Sequence, residues 1–254
     1  MPLATGKGFW KRWWYSLGTW VVRREAAVLL ALLAAAAGIW IFAEIADEVL
    51  EGDSRGLDTA VLEAMRDRST EKPIGPAWLA EAALEITSLG SVAVLVFVVA
   101  AVLGYLAMHR LWGAFWLVLA ASLGGQLLNM LLKQSFGRER PTVVPHLTGV
   151  QTLSFPSGHA MLSAIIYLTL GALLVRLEEQ RRVKLYIVLV AVTLTMLIGL
   201  TRVYLGVHYP TDVLAGWVAG MVWAILCWLT AQWLQRRGKV ETREHASRTR
   251  VEHA

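Results

Sequence analysis

The sequence predicts an all-α, polytopic membrane domain with six transmembrane helices and both termini cytoplasmic. Three observations predict it. The chain is 56% hydrophobic with a mean hydropathy of +0.53, too apolar for an ordinary soluble domain. Apolar runs recur along it, each close to the ~20 residues needed to cross the ~30 Å hydrocarbon core of a bilayer. Basic residues crowd into alternate loops, the pattern that orients a polytopic chain. Twelve Trp residues suit membrane–water interfaces. The net charge of +5 lies beside the apolar spans, so topology and anionic headgroups account for it and no nucleic-acid partner is called for.

Residues 1–25 interleave Lys7, Lys11, Arg12, Arg23 and Arg24 with Trp10, Trp13, Trp14 and Trp20, which reads as a cytoplasmic interfacial segment. The first span, about Ala26 to Ala43, is longer than a signal-peptide core and is expected to be retained. Residues 44–77 are acidic and polar, with Leu57, Val61 and Met65 at helical spacing before Pro73 and Pro76. They predict a short amphipathic helix lying along the outer surface. Five further spans follow at about Ile86–Met108, Leu111–Leu132, Ala160–Leu177, Leu185–Leu205 and Thr211–Leu234. Residues 26–234 therefore form one six-helix membrane domain, and the polar tail 235–254 is expected to be disordered. Cys227 sits in an apolar run as a small packing residue.

Sixteen of the 24 Lys and Arg fall at the N-terminus, near Arg110, in the loop Arg176–Lys184 and in the tail, which places those parts in the cytoplasm. The other face holds eight: Arg55, Arg66, Arg68, Lys72, Lys133, Arg138, Arg140 and Arg202. The last four stand in three motif-like stretches at span ends, against the topological bias. An anionic ligand supplies a local reason for them.

The three stretches are Lys133 to Arg140-Pro141, Pro156-Ser157-Gly158-His159, and Thr201 to Asp212 with Arg202 and His208. A six-span topology brings them to one face. Phosphoryl transfer needs donors aimed at charge spread over the phosphate oxygens. Arg140 and Arg202 offer planar forks, Lys133 a point charge, and Pro141 stiffens the chain behind Arg140. Ser157 suits an N-cap, Gly158 permits close backbone approach, and the helix start offers free N–H groups to an anion. His208 and Asp212 are spaced i, i+4, so Asp212 can take the Nδ1 proton and leave Nε2 to attack phosphorus. His159 would protonate the departing oxygen. The competing structural reading makes the His–Asp pair a polar lock between helices.

A metal site at His159, His208 and Asp212, with His146, is disfavoured because Lys133, Arg140 and Arg202 would repel a dication. No metal and no other cofactor is expected. Glu139 reads as a solvated charge, His109 as interfacial, and Gln126 and Asn129 as interhelical hydrogen-bonding groups. Gly124-Gly125 and Gly216 with Gly220 read as close helix contacts, and the tail residues His245 and His253 carry no role.

Together these stretches resemble the type 2 phosphatidic acid phosphatase superfamily of membrane lipid phosphatases. Its signature is K-x6-RP, then PSGH, then SR-x5-H-x3-D. Here it is met by Lys133 with Arg140-Pro141, by Pro156 to His159, and by Arg202, His208 and Asp212, with Thr201 where the family has Ser. The resemblance implies catalysis by His208 as a phosphohistidine nucleophile, Asp212 as its partner and His159 as acid. It implies phosphate binding by Lys133, Arg140, Ser157, Gly158 and Arg202, without a metal. The expected partner is a lipid phosphate entering from the bilayer: phosphatidic acid, phosphatidylglycerol phosphate, undecaprenyl diphosphate or a lipid A phosphate. For a bacterial chain the site would lie on the periplasmic face of the inner membrane. Two other readings stand beside hydrolysis: phosphotransfer to a lipid acceptor through the same histidine, and lipid-phosphate binding or transport without turnover.

Overall fold

The structure, a computed structural model, describes residues 7–149 and 152–236, with side chains from Glu25 to Leu234. The side chains of the basic, Trp-rich segment up to Arg24, and the tail past Arg236, lie outside that range. Eight helices and no β-strand make up the described residues. In chain order they are α1 (Lys7–Glu51), α2 (Arg55–Ala64), α3 (Ala77–Ser88), α4 (Val92–Met108), α5 (Trp112–Phe136), α6 (Gly158–Leu177), α7 (Arg181–Tyr204) and α8 (Pro210–Arg236). Five of them are long and apolar enough to span a membrane, or six when the bent pair α3–α4 counts as one broken span.

The centre of the bundle is α6, which packs on α5, α7 and α8. Of its membrane-length window 44% is buried inside the protein, against 11–28% for the other unbroken spans. Met161, Leu162, Ile165 and Ile166 of α6 meet Leu95 and Val99 of α4, Val118 and Ala121 of α5, and Ala219 of α8. Small residues set how closely the central pair approaches. A Cβ on Gly216 would lie 2.7 Å from the Ser157 carbonyl, and one on Gly220 would lie 2.5 Å from that of Met161. Gly124 and Gly125 make room for Trp223 and Ile165 in the same way. Leu29, Leu33, Trp40, Phe97 and Leu189 point outward, as lipid-facing side chains must.

Three elements differ from the sequence expectation. Helix α1 continues past Ala43 to Glu51, because Ala46 and Val49 still find Ala215 of α8 and Phe155 to pack on while Glu44, Asp47 and Glu48 face outward. The span expected at Ile86–Met108 is two helices bent by 45° around Leu89-Gly90. Tyr167 Oη donates to the freed Leu89 carbonyl (2.8 Å), and Ser91 caps α4 by accepting from the Val94 N–H (3.3 Å). The surface helix α2 is present but rotated: Leu57 is exposed, whereas Asp58 and Leu62, one turn apart, are fully buried. Leu62 packs on Val144, Ala160, Val203 and Val213, which docks α2 over the helix ends that carry the motifs.

Candidate active site

All three motif stretches end at the same end of the bundle. The second is tied in by Phe155, fully buried with its ring 4.8 Å from that of Phe136 on α5 and 5.9 Å from that of Phe42 on α1. The Ser157 N–H donates to the Asp212 carbonyl (2.9 Å), joining the start of α6 to that of α8. Between α7 and α8 the chain reverses at Gly206, whose φ is +76° and where a Cβ would meet Arg66, Val144 and Pro145 at 2.6–3.0 Å. That turn presents His208 to the inside.

His208 is 1% and Asp212 0% exposed. Arg140 Nη1 lies 3.1 Å from His208 Nε2. A guanidinium has only donors, so Nε2 carries a lone pair and the proton sits on Nδ1. The Nδ1–H donates to Asp212 Oδ2 at 3.3 Å, although α8 begins only at Pro210. Ser154 Oγ also donates to Asp212 Oδ2, as does the Tyr209 N–H (2.9 Å). Burial holds the His208 pKa well below its ordinary value, at about 3, against the opposing pull of Asp212. The imidazole is therefore neutral at neutral pH.

The cations surround this pair. Arg140 is pinned by Nε to the Thr152 carbonyl (2.6 Å), by Nη2 to Thr152 Oγ1 (3.0 Å) and by Nη1 to the Val207 carbonyl (2.6 Å). Lys133 Nζ donates to the Leu153 carbonyl. Arg202 is buried and donates to Thr87 Oγ1 of α3 (3.1 Å), while its Nε makes no hydrogen bond. Ser157 sits at the N-cap of α6 with its Oγ buried and likewise without a hydrogen bond. Gly158 lies so close to Asn129 that a Cβ would be 3.2 Å from the amide, and Lys133 Cε is next at 3.7 Å. His159 is half-buried beside Gly90 at the α3–α4 bend and within electrostatic reach of Arg202, His208, Arg140 and Lys133. All eight residues singled out in the sequence thus converge. The arrangement brings a neutral imidazole with an unprotonated Nε2, three cations and a second imidazole to one end of the bundle.

His146 stands outside it, its Nε2 donating to the Pro141 carbonyl (2.6 Å). Among the described residues no group of three or more His, Cys, Asp and Glu could hold a metal ion. Glu139 is exposed. Three residues of the site were missed by sequence reasoning: Thr152, Ser154 and Asp58. Arg138 was singled out but assigned to an anionic ligand, whereas its Nη1 donates to Asp212 Oδ1 (2.6 Å) and its Nη2 to Asp58 Oδ2 (2.7 Å). Its basic charge against the topological bias was the signal. For Asp58 the signal was a carboxylate one turn before Leu62 on an amphipathic helix.

The sequence pattern of the PAP2 superfamily matches residues 113–236. The chain is 34% identical over 147 residues to phosphatidylglycerophosphatase B of Bacillus subtilis, covering 57% of this chain and 71% of that one. It is 37% identical over 67 residues to an undecaprenyl-diphosphatase of Sulfolobus acidocaldarius, covering 26% of this chain and 28% of that one. Among solved structures it is similar to a transmembrane PAP2 type phosphatidylglycerolphosphate phosphatase from Bacillus subtilis. The TM-score is 0.72 at 27% identity, covering 80% of this chain and 98% of the other.

Proposed function

The chain belongs to the PAP2 superfamily of membrane lipid phosphatases, and on that premise we propose that it hydrolyses its lipid phosphate through a covalent intermediate on His208. It is a phosphoric ester hydrolase and a multi-span membrane protein. The observation that carries the mechanism is the state of His208: Nδ1 committed to Asp212, Nε2 unprotonated and facing Arg140.

The phosphate of the substrate takes Nη1 of Arg140, the free hydrogens of Lys133, Arg202 Nε and the Ser157 hydroxyl as donors. These side chains stabilise the charge that spreads over its equatorial oxygens. Nε2 of His208 attacks phosphorus as the bond from phosphorus to the lipid oxygen breaks, and protonated His159 gives that oxygen its proton. Burial and the surrounding cations oppose that proton in the free site, and the phosphate dianion, by offsetting those cations, favours its uptake when substrate binds. Asp212 balances the positive charge that the His208 ring acquires. In the second half a water attacks phosphorus, His159 takes its proton, and the P–N bond breaks to return neutral His208 and inorganic phosphate.

For substrate we take phosphatidylglycerol phosphate first and undecaprenyl diphosphate second. The relative named for the former matches over 57% of this chain, and the one named for the latter over 26%. Phosphatidic acid and a lipid A phosphate complete the panel. The excess of basic residues on the opposite loops supports a site on the periplasmic face of a bacterial inner membrane, reached by the lipid from the bilayer.

The test is phosphate release from the four lipids by purified protein in detergent with excess chelator, beside His208→Ala. Chelator-resistant release that the substitution abolishes, with a phosphohistidine trapped on wild type, is expected. Release that survives in His208→Ala, or that chelator stops, overturns the mechanism. Phosphate passed to an added lipid alcohol in place of water would mark a phosphotransferase.

A further inference from the structure

Among the described residues the two buried carboxylates are Asp212 and Asp58. Asp58 belongs to none of the three motif stretches and lies on the surface helix α2. A charge so deeply buried persists only when it is paired and hydrogen-bonded. Asp58 is fully satisfied: Oδ2 accepts from Arg138 Nη2 (2.7 Å) and Thr211 Oγ1 (2.6 Å), and Oδ1 accepts from the Thr211 N–H (3.1 Å). Arg138 stands over the Tyr209 ring, its Cζ 4.2 Å from the centroid, and spends Nη1 on Asp212 Oδ1 (2.6 Å) and Thr211 Oγ1 (2.8 Å). The carboxylate of Asp212 is thereby divided, one oxygen on Arg138 and the other on His208.

The charge count gives this arrangement a consequence. Arg138 alone against Asp212 would cancel the negative charge that His208 needs when its ring turns cationic. With Asp58 on its far side, Arg138 is matched already, and the row Asp58–Arg138–Asp212 keeps one net negative charge facing the imidazole. We propose that Asp58 is a positioning residue of the active site, pairing Arg138 so that Asp212 keeps its charge for His208. This rests on the reading of His208 as nucleophile. It also gives α2 a part in the reaction: docking by Leu62 sets Asp58 over the start of α8.

The experiment compares Asp58→Asn, Arg138→Met and the double variant with wild type. Asp58→Asn keeps the shape and an acceptor for Thr211 but removes the charge. Its kcat is expected to fall about ten- to a hundred-fold, in the upper part of the roughly 2- to 150-fold range of couplings between groups in one buried network. KM and inhibition by inorganic phosphate should stay within about twofold, because the phosphate-binding side chains are untouched. The double variant, lacking the surplus cation, should be more active than Asp58→Asn alone. A mere tether for α2 predicts the reverse, a double variant as impaired as the single or worse. Unchanged kcat in Asp58→Asn, equal loss in the double, or a double variant that fails to fold overturns the proposal. A second readout is independent of turnover. In 15N-histidine spectra the His208 signal, assigned by its loss in His208→Gln, should report the Nδ1–H form in wild type and a mixture of tautomers in Asp58→Asn. Wild type that releases no phosphate from any lipid would sink the functional reading, and the spectra would still decide the role of Asp58: an unchanged tautomer overturns it.

Discussion

Gly216→Ala tests whether the contact between α6 and α8 sets the geometry of the reaction. The added methyl would lie 2.7 Å from the Ser157 carbonyl, 3.0 Å from Ala160 Cβ and 3.2 Å from the Met161 nitrogen. A carbon–oxygen contact settles at about 3.3–3.6 Å, so α8 must retreat by roughly 0.6–0.9 Å at this point. Two of the three neighbours are backbone atoms that cannot turn aside. Overpacking of this kind costs about 1–3 kcal/mol, which a bundle of this size survives. The site is less tolerant. Asp212 lies in the first turn of α8 with His208 just before it, and Ser157, Gly158 and His159 lie at the start of α6, the two ends joined by the Ser157 N–H bond to the Asp212 carbonyl (2.9 Å). Catalytic groups must be held to about 0.5 Å, and a 1 Å misplacement costs on the order of a hundredfold. The expected result is a ten- to hundred-fold fall in phosphate release, roughly between those limits, with a small drop in unfolding midpoint. Gly104→Ala is the control, since a Cβ there meets nothing within 4 Å. Full activity in folded Gly216→Ala would refute the claim that this contact positions the nucleophile.

Ser154→Ala removes the hydroxyl that Asp212 Oδ2 accepts from; a bond to a buried charge is worth about 1.5–3 kcal/mol, and with Tyr209 N–H retained kcat should fall about tenfold at unchanged KM. Thr152→Val removes the Oγ1 partner of Arg140 Nη2 while keeping the carbonyl that holds Nε, so KM should rise about two- to tenfold with kcat held, read from initial rates across substrate concentration. The depressed pKa of His208 has a sign that unfolding can read. Between about 6.5, the ordinary value, and about 3, the unfolded chain binds a proton that the folded chain refuses. Wild type should therefore lose stability relative to His208→Asn as pH falls from 7 toward 4, and the difference should be flat above 7.

The spans and the three motif stretches were legible because both rest on local rules: length and hydropathy for the first, residue type at fixed spacing for the second. What escaped was set by contacts distant in sequence. The bend falls at Thr87-Ser88-Leu89-Gly90-Ser91, where Ser91 was readable as a cap, but the partner that takes up the freed Leu89 carbonyl is Tyr167, 78 residues away. Arg138 was visible as a misplaced charge but not as a partner of Asp212, because the pairing spans 74 residues. Asp58 is further off still. The spacing of Leu57, Val61 and Met65 predicts its helix, and Val61 and Met65 do pack on the core while Leu57 is exposed. The buried ion pair with Arg138 and the packing of Leu62 centre the inward face on Asp58 and Leu62 instead.

Charge balance links the resting site to the reaction. Around the pocket Lys133, Arg138, Arg140 and Arg202 face Asp58 and Asp212, and with His208 neutral the cluster keeps two positive charges. A phosphomonoester dianion cancels them. Until it arrives, the surplus donors rest on weaker acceptors: Lys133 on the Leu153 carbonyl, and Arg140 Nη1 on the Val207 carbonyl and Nε2 of His208. Leu153 is exposed, so water can replace what it gives up. The contact with Nε2 is different in kind, because it covers the lone pair proposed to attack. A phosphate oxygen draws Nη1 away more strongly than a neutral nitrogen holds it, since bonds between ions are about twice as strong as neutral ones. Binding of the dianion and release of the nucleophile are then one event. A neutral molecule entering the pocket leaves the lone pair covered.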